Sequence, residues 1–232
     1  MGVVAELILV RHGQSASNVA FPKANAAGLV DSGLTGRDTD VELTPFGVEQ
    51  AKAVGRWLAG LPAELVPEVV ITSPYLRARE TWRIAAAASG LAFAAPSTDD
   101  RLVDRLLGDL EMLTEAAVAQ RFPDEPARYL RAGAYLYKPP NGEAFGDIAV
   151  RLASFLADLN RDHAGRRVIV TAHDSVVLMM RSVIEGLDLD GTARIADSGH
   201  VRNASITRFD GASGKLLLDH YNTVDHLPVE ES

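Results

Sequence analysis

The sequence predicts an α/β protein: a three-layer sandwich whose mostly parallel central sheet carries helices on both faces. Three observations predict it. Short apolar runs rich in branched side chains, Leu7-Ile8-Leu9-Val10, Val69-Val70-Ile71 and Val168-Ile169-Val170-Thr171, have the length and composition of strands buried on both faces. Helical patterns follow each of them, and strands alternating with helices form a parallel sheet covered on both sides. A 232-residue chain, 47% hydrophobic and 23% charged, is large and apolar enough to bury such a core. No internal repeat, low-complexity tract or linker divides it, so a single domain over residues 1–232 is expected.

In chain order, the strand at residues 7–10 ends on Arg11-His12-Gly13 and a polar turn carrying Ser15, Ser17 and Asn18. Residues 19–39 contain Pro22, Gly28, Gly33 and Gly36 and are expected to form a long loop beside the site, of the kind that serves as a lid. Thr44-Pro45 has the form of an N-cap followed by proline in the first helical position. Val48, Ala51, Val54 and Leu58 then recur at helical spacing until Gly60 and Pro62. Beyond the strand at 69–71, Ser73-Pro74 repeats the cap-plus-proline start, for a helix reaching about residue 88. Residues 91–95 are expected to be a third strand and 99–111 an irregular acidic segment. Thr114 caps a short helix ending near Phe122-Pro123. Residues 128–142 carry aromatics and a Pro-Pro-Asn-Gly turn, and a long helix is expected over 143–160. The strand at 168–171 ends at Ala172-His173 and leads into a helix to Glu185. Residues 206–209 and 216–220 read as two strands around an Asp210-Gly211 turn, and the C-terminal tail is expected to be mobile.

A net charge of −8 argues against a nucleic-acid partner, because phosphate backbones select basic faces. With no cysteine there is no disulfide framework, thiolate nucleophile or cysteine zinc site. The first residues lack a basic region before their apolar run, so no secretory signal is expected. Glu6 stands where a myristoylation signal needs Ser or Thr. No apolar run is long enough to span a bilayer. A cytoplasmic protein without membrane association is the expectation. His200, His220 and His226 lack ligand spacing, His163 precedes a Gly-Arg-Arg turn and reads as solvated, and neither a metal nor a cofactor is expected.

Three strand ends offer matching chemistry. The first supplies Arg11 and His12; the second supplies Ser73 and, one turn into its helix, Arg77; the strand at 168–171 supplies His173. In a parallel sheet the carboxyl ends share one edge, where ligands bind. Two arginines and two histidines can therefore converge on one anion, since the planar guanidinium makes paired charge-assisted bonds to phosphate. Helix N-termini at Pro74 and after His173 would add dipoles of the same sign. Arg11-His12 taken alone would equally suit a surface loop with a solvated arginine and a capping serine; the convergence of the strand ends argues otherwise.

These residues resemble the histidine phosphatase superfamily, also called phosphoglycerate mutase-like. The matching elements are Arg11-His12-Gly13 with Asn18; Asp40-Val41-Glu42-Leu43-Thr44 with Gly47, Gln50 and Ala51; and Ser73-Pro74 with Arg77-Ala78 and Glu80-Thr81. Asp104 with Gly108, Gly142-Glu143, Thr171-Ala172-His173 and Asn203-Ala204-Ser205 complete the order. The resemblance implies phosphoryl transfer through a phosphohistidine without metal. His12 would be the nucleophile, with its other ring nitrogen held by a backbone carbonyl. Arg11, Arg77, Asn18 and His173 would bind the phosphoryl group, and Asp104 would serve as general acid and then base, which requires a carboxyl with a raised pKa. Many relatives carry glutamate at the place of Asp104, so the shorter arm must sit closer or defer to Asp109 or Glu111. Asp174 stands where glycine is usual; it would either cap a helix beginning at Ser175 or shape the choice of substrate. Ser15, Lys23 and Arg37 are the candidate loop contacts to substrate, Lys23 and Arg37 reading equally as solvated bases. Glu143 would support the site or start its helix, and Glu80 would pair with Arg77 or Arg83. The segment from Tyr135 to Glu143 lacks the paired arginines and proline run of the mutases, so a phosphatase acting on a small phosphorylated metabolite is expected. A primed mutase and a non-catalytic phosphate-binding relative are the alternatives.

Overall fold

The computed structural model describes residues 2–197 and 199–227; the expected mobile tail, at 228–232, lies outside them. Six strands form one sheet: β1 (Glu6–Arg11), β2 (Val69–Thr72), β3 (Ser97–Thr98), β4 (Arg167–Ala172), β5 (Ile206–Asp210) and β6 (Leu217–Thr223). Their order is β3-β2-β4-β1-β5-β6. The first four run parallel, and β5 and β6 are antiparallel additions. The helices are α1 (Ala16–Ala26), α2 (Pro45–Ala59), α3 (Leu76–Ser89), α4 (Glu115–Arg121), α5 (Glu125–Leu136), α6 (Phe145–Asp162), α7 (Asp174–Glu185) and α8 (Leu189–Asp197). No helix among the described residues is long and apolar enough to cross a membrane.

The apolar runs are unbroken because both faces of the sheet are covered. Leu7, Leu9, Val168 and Val170 pack with Leu152 and Phe155 of α6 and Val176 and Met180 of α7. Ile8, Val10, Val70 and Ile169 pack on the other face with Val54 and Leu58 of α2 and Trp82 and Ala85 of α3. Leu7 to Val10 are each at most 1% exposed. The expected three layers follow.

Register places the functional residues. β1 pairs with β4 so that Arg11 lies beside Ala172, and β2 pairs with β4 so that Thr72 lies beside Thr171. The ladder continues past the strand ends: His12 N–H donates to the Ala172 carbonyl and Ser73 N–H to the Thr171 carbonyl, both at 2.9 Å. His12, Ser73 and His173 thus emerge together on one edge.

Four expectations about elements are corrected. Residues 19–39 are not a continuous loop, because α1 occupies the first part despite Pro22. Its first turn is set by Asn18, whose Oδ1 accepts from both the backbone N–H and the hydroxyl of Ser15 at 3.0 Å. Of its residues only Ala24 is buried, so there is no apolar stripe to read. The helix after β2 starts at Leu76 with Tyr75 as N-cap; the Ser73 hydroxyl bonds His173 Nε2 at 2.8 Å and accepts the Tyr75 N–H at 3.3 Å. Residues 91–95 form no strand; β3 is the short Ser97–Thr98, and Phe93 instead packs edge-on against Trp82. Residues 128–142 begin inside α5, which breaks at Gly133 (φ 74°). The helix α8 was unexpected.

α2 packs its first turn backbone-to-backbone against the loop that carries His12. Thr44 caps it, accepting the Gly47 N–H at 3.0 Å, and donates to the Gln14 side chain at 2.8 Å. A Cβ on Gly47 would lie 2.0 Å from the Gln14 carbonyl oxygen. Gly47→Ala should therefore force this contact apart and lower stability by about 1–3 kcal/mol, measured by urea denaturation.

Candidate active site

His12 is 2% exposed, and its Nδ1 lies 2.7 Å from the carbonyl oxygen of Gly13. A carbonyl only accepts, so Nδ1 carries the proton and Nε2 keeps its lone pair. The loop behind it is braced from three elements. Gly13 N–H donates to Thr81 Oγ1 of α3 at 3.0 Å, and Gln14 N–H donates to Gln50 Oε1 of α2 at 2.8 Å. Asn203 Nδ2 donates to the His12 carbonyl and to Asn18 Oδ1, each at 3.1 Å. The Asn18 oxygen is thereby consumed, which leaves its amide nitrogen to offer a ligand. Burial, then His173, Arg77 and Arg11, hold the His12 imidazole well below the usual histidine range, so it is neutral at pH 7.

Arg77, 3% exposed, donates from Nε to His12 Nε2 at 3.3 Å. Its Nη2 reaches Asp104 Oδ2 at 3.2 Å, and its guanidinium lies 4.8 Å over the Tyr75 ring. Asp38, from the 3-10 turn Asp38–Asp40, also takes this guanidinium with both carboxylate oxygens, at 3.0 and 3.1 Å. Arg11 donates from Nη1 to the Val201 carbonyl, while its buried Nε has no partner.

His173 is fully buried, with its ring centroid 5.2 Å from that of His12 at 65°. Its Nε2 lies 2.8 Å from Ser73 Oγ and its Nδ1 3.4 Å from Asp104 Oδ2. Burial pushes its pKa down to about 3, against the opposing pull of Asp104. Asp104 Oδ1 accepts from Ser175 Oγ at 2.7 Å and from the Arg105 N–H at 2.8 Å. Burial alone would raise this carboxyl, but the surrounding donors and charges hold it well below the usual carboxylate range. With His173 neutral, that pull comes from Arg77, Ser175 and the Arg105 amide. The expected raised pKa is therefore corrected: Asp104 is an ionised carboxylate.

Arg11, His12, Asn18, Arg77 and Asp104 line one cleft of about 890 Å³, with His173 behind them. Ser15 is buried beneath Asn18 and outside that lining. Lys23 and Arg37 are exposed and also outside it, because α1 and the glycine-bearing turn after it point them to solvent. Asp109 is held by Asn141 Nδ2 at 3.1 Å, whereas Glu111 lines the cleft. Glu143 pairs with Arg151 at 2.9 Å, and Arg151 donates to the Asp104 carbonyl at 3.3 Å, so the pair braces the segment bearing Asp104. Glu80 pairs with Arg83 rather than Arg77. α7 begins at Asp174 rather than Ser175, and the Asp174 carboxylate accepts the Ser175 N–H at 2.8 Å while lining the cleft. Sequence reasoning missed Asp38, Tyr75 and Ser175. Ser175 had a signal in its place in the first turn of the helix that follows His173; Asp38, inside an aperiodic segment, had none. Among the described residues no three His, Asp or Glu side chains gather as a metal site would require.

The arrangement is a neutral imidazole whose Nε2 faces the Arg77 guanidinium, with Arg11 lining the same cleft and a carboxylate bonded to Arg77. It can receive a tetrahedral anion and transfer its central atom to Nε2. The family model described as histidine phosphatase superfamily, branch 1, matches residues 7–224. A 2,3-bisphosphoglycerate-dependent phosphoglycerate mutase of Methylobacterium radiotolerans is 35% identical over 78% of this chain and 79% of its own. A metal-independent phosphoserine phosphatase of Arabidopsis thaliana is 26% identical over 97% and 84%. A mycobacterial glucosyl-3-phosphoglycerate phosphatase, solved with VO3, superposes with a TM-score of 0.70 at 25% identity, covering 95% of this chain and all of that one.

Both histidines are neutral in the folded chain and take up protons on unfolding below their free pKa of about 6.5. Stability should therefore fall as pH drops from about 6.5, by up to about 1.4 kcal/mol per pH unit for each histidine. For His173 the loss ends only near pH 3, where the folded chain is protonated as well. Asp104 adds to the loss in the same direction once pH falls below about 4, where the unfolded carboxyl binds a proton that the folded one refuses. Melting temperatures from pH 4 to 7.5 check this, and His173→Gln should flatten the slope.

Proposed function

The chain belongs to the histidine phosphatase superfamily, branch 1, and from that premise we propose that it is a phosphomonoester phosphatase working through a phosphohistidine on His12. One observation carries the reading: the Nδ1–H of His12 is fixed on the Gly13 carbonyl at 2.7 Å, which leaves an unprotonated Nε2 in a cleft lined by Arg11 and Arg77.

Nε2 attacks phosphorus, forming a P–N bond as the ester P–O bond breaks, while Arg11, Arg77 and Asn18 take the charge on the equatorial oxygens. A phosphate dianion on Arg77 cancels the charge that holds Asp104 ionised, so the proton of a monoanionic ester can pass to Asp104. That carboxyl then protonates the departing alkoxide and later removes a proton from the water that attacks the phosphohistidine. General acid help of this kind supplies roughly 10²–10⁴-fold. The chain's own residues provide the nucleophile and the positive charge, and Asp104 relays the ester's own proton, so no metal is required by this route.

A mutase is the second reading, favoured by the 35% identity to a phosphoglycerate mutase. The cleft speaks for the phosphatase. Beyond Arg11 and Arg77 its arginine is Arg105, whose Nε and Nη2 are spent on the carbonyls of Glu143 and Tyr137 at 2.9 and 2.7 Å. Its lining also holds the carboxylates of Glu111, Asp174 and Asp197, poor company for the carboxylate and second phosphate of a bisphosphoglycerate. A small phosphorylated metabolite fits the cleft. We also keep the chain in the cytoplasm as a single domain.

p-Nitrophenyl phosphate should be hydrolysed at undiminished rate in EDTA, and rapid acid-free quenching of labelled substrate should trap an alkali-stable adduct. His12→Ala should abolish both while leaving the circular dichroism unchanged; phosphate binding without turnover in the unaltered protein would instead mark a non-catalytic relative. Asp104→Asn should slow alkyl phosphates by about 10²–10⁴-fold and p-nitrophenyl phosphate much less, because its leaving group needs no proton. Bisphosphate-dependent exchange on 3-phosphoglycerate would establish the mutase.

A further inference from the structure

Arg77 has five N–H donors, and protein groups occupy all of them. Nε bonds His12 Nε2 at 3.3 Å. Nη1 bonds the Asp38 carbonyl at 2.7 Å and Asp38 Oδ1 at 3.0 Å. Nη2 bonds Asp38 Oδ2 at 3.1 Å and Asp104 Oδ2 at 3.2 Å. Asp38 thus grips the guanidinium with two carboxylate oxygens, the fork-to-fork geometry that a phosphoryl group would use. It lines the same cleft as His12. A phosphoryl group cannot gain a bond from Arg77 until one of these acceptors leaves. Asp104 is tied down by Ser175, by the Arg105 amide and by the Arg151 bond to its carbonyl. Asp38 is tied only to Arg77 by its side chain in the bonds described, and it sits at the end of an exposed turn. That turn contains Gly33 at φ 78° and Gly36 at φ 90°, neither with any atom within 4 Å of where a Cβ would stand.

We propose that Asp38 is a specificity-determining residue that acts as an internal competitor for the phosphoryl group: its carboxylate occupies Arg77 in the free enzyme and must be displaced by substrate. The inference rests on the phosphate-binding role of Arg77 given above. Its consequence is selectivity. Inorganic phosphate, which has only its oxygens to offer, meets an occupied arginine and binds weakly, so product leaves readily. A phosphomonoester brings further contacts from its organic part to the apolar wall of Phe21, Leu107, Tyr135 and Phe145, and these offset the displacement. The like charge of Asp38 and of the incoming anion makes the exchange all-or-none, since both cannot share one guanidinium face.

The test compares unaltered protein with Asp38→Asn and Asp38→Ala by calorimetric titration of inorganic phosphate, which needs no turnover. Removing a charge-assisted competitor should tighten phosphate binding by about tenfold or more, with Asn giving the smaller gain. Product inhibition by phosphate should strengthen in parallel, and KM for p-nitrophenyl phosphate should fall more than kcat changes. Unchanged or weaker phosphate affinity in both variants would overturn the proposal, as would absent phosphate binding in all three proteins. Should the variants fail to fold, a crystal structure of the unaltered protein with phosphate decides: Asp38 must have left hydrogen-bond distance of Arg77, and its retention there overturns the inference. Loss of the phosphatase reading would show separately, as no hydrolysis by a protein that still binds phosphate.

Discussion

The site depends on one hydrogen bond, from His12 Nδ1 to the carbonyl of its neighbour Gly13. An imidazole is useful as a nucleophile only when neutral and turned the right way, and this bond settles both by tautomer and by rotation. Much of the surrounding structure serves to keep the Gly13 carbonyl where it is. Gly13 and Gly47 lack side chains because the two backbones meet there. Thr81 and Gln50 hold the amides of Gly13 and Gln14 from two different helices. Burial among arginines supplies the rest, since a third positive charge beside Arg11 and Arg77 is disfavoured.

The same logic explains which parts of the chain were legible. The strands carrying Arg11-His12 and His173 announced themselves because both of their faces are buried, and the ends of parallel strands must fall on one edge. Thr44 and Thr114 were readable as caps because their hydroxyls do the local work that their position implies. Ser73-Pro74 misled for the opposite reason: its hydroxyl serves His173 one hundred residues away, a tertiary demand that no local pattern records. α1 was hidden because it buries a single side chain and carries no apolar period, and Pro22 argued against helix; α5 was hidden by its break at Gly133. The 91–95 segment failed as a strand because the outer side of β2 pairs with Ser97 and Thr98 instead.

Asp104 shows how a role and a resting state differ. A general acid needs a proton, yet here the carboxyl is bound to a guanidinium, a hydroxyl and an amide, all of which favour the anion. Two of those partners are fixed by the fold, but the guanidinium is the group that a phosphate would neutralise. On the proposed mechanism, a phosphate that neutralises the guanidinium would raise that proton affinity and make an acid available when there is a leaving group to receive the proton. Arg151, paired with Glu143, donates to the Asp104 carbonyl and braces the segment that carries it.

Charge around the cleft completes the reasoning about what the site accepts. Three arginines line it, Arg11, Arg77 and Arg105, against five carboxylates, Asp38, Asp104, Glu111, Asp174 and Asp197. Arg11 ends β1, Arg77 stands in the first turn of α3, and the Asp174 carboxylate directly follows His173 at the same edge; Glu111 and Asp197 line the cleft with Tyr135, Phe145 and Leu178. On the phosphatase reading, a second anionic group on the same molecule would meet those carboxylates in a partly desolvated cleft, which disfavours bisphosphates; Lys23 and Arg37, which the fold holds outside the cleft, offer it no counter-charge.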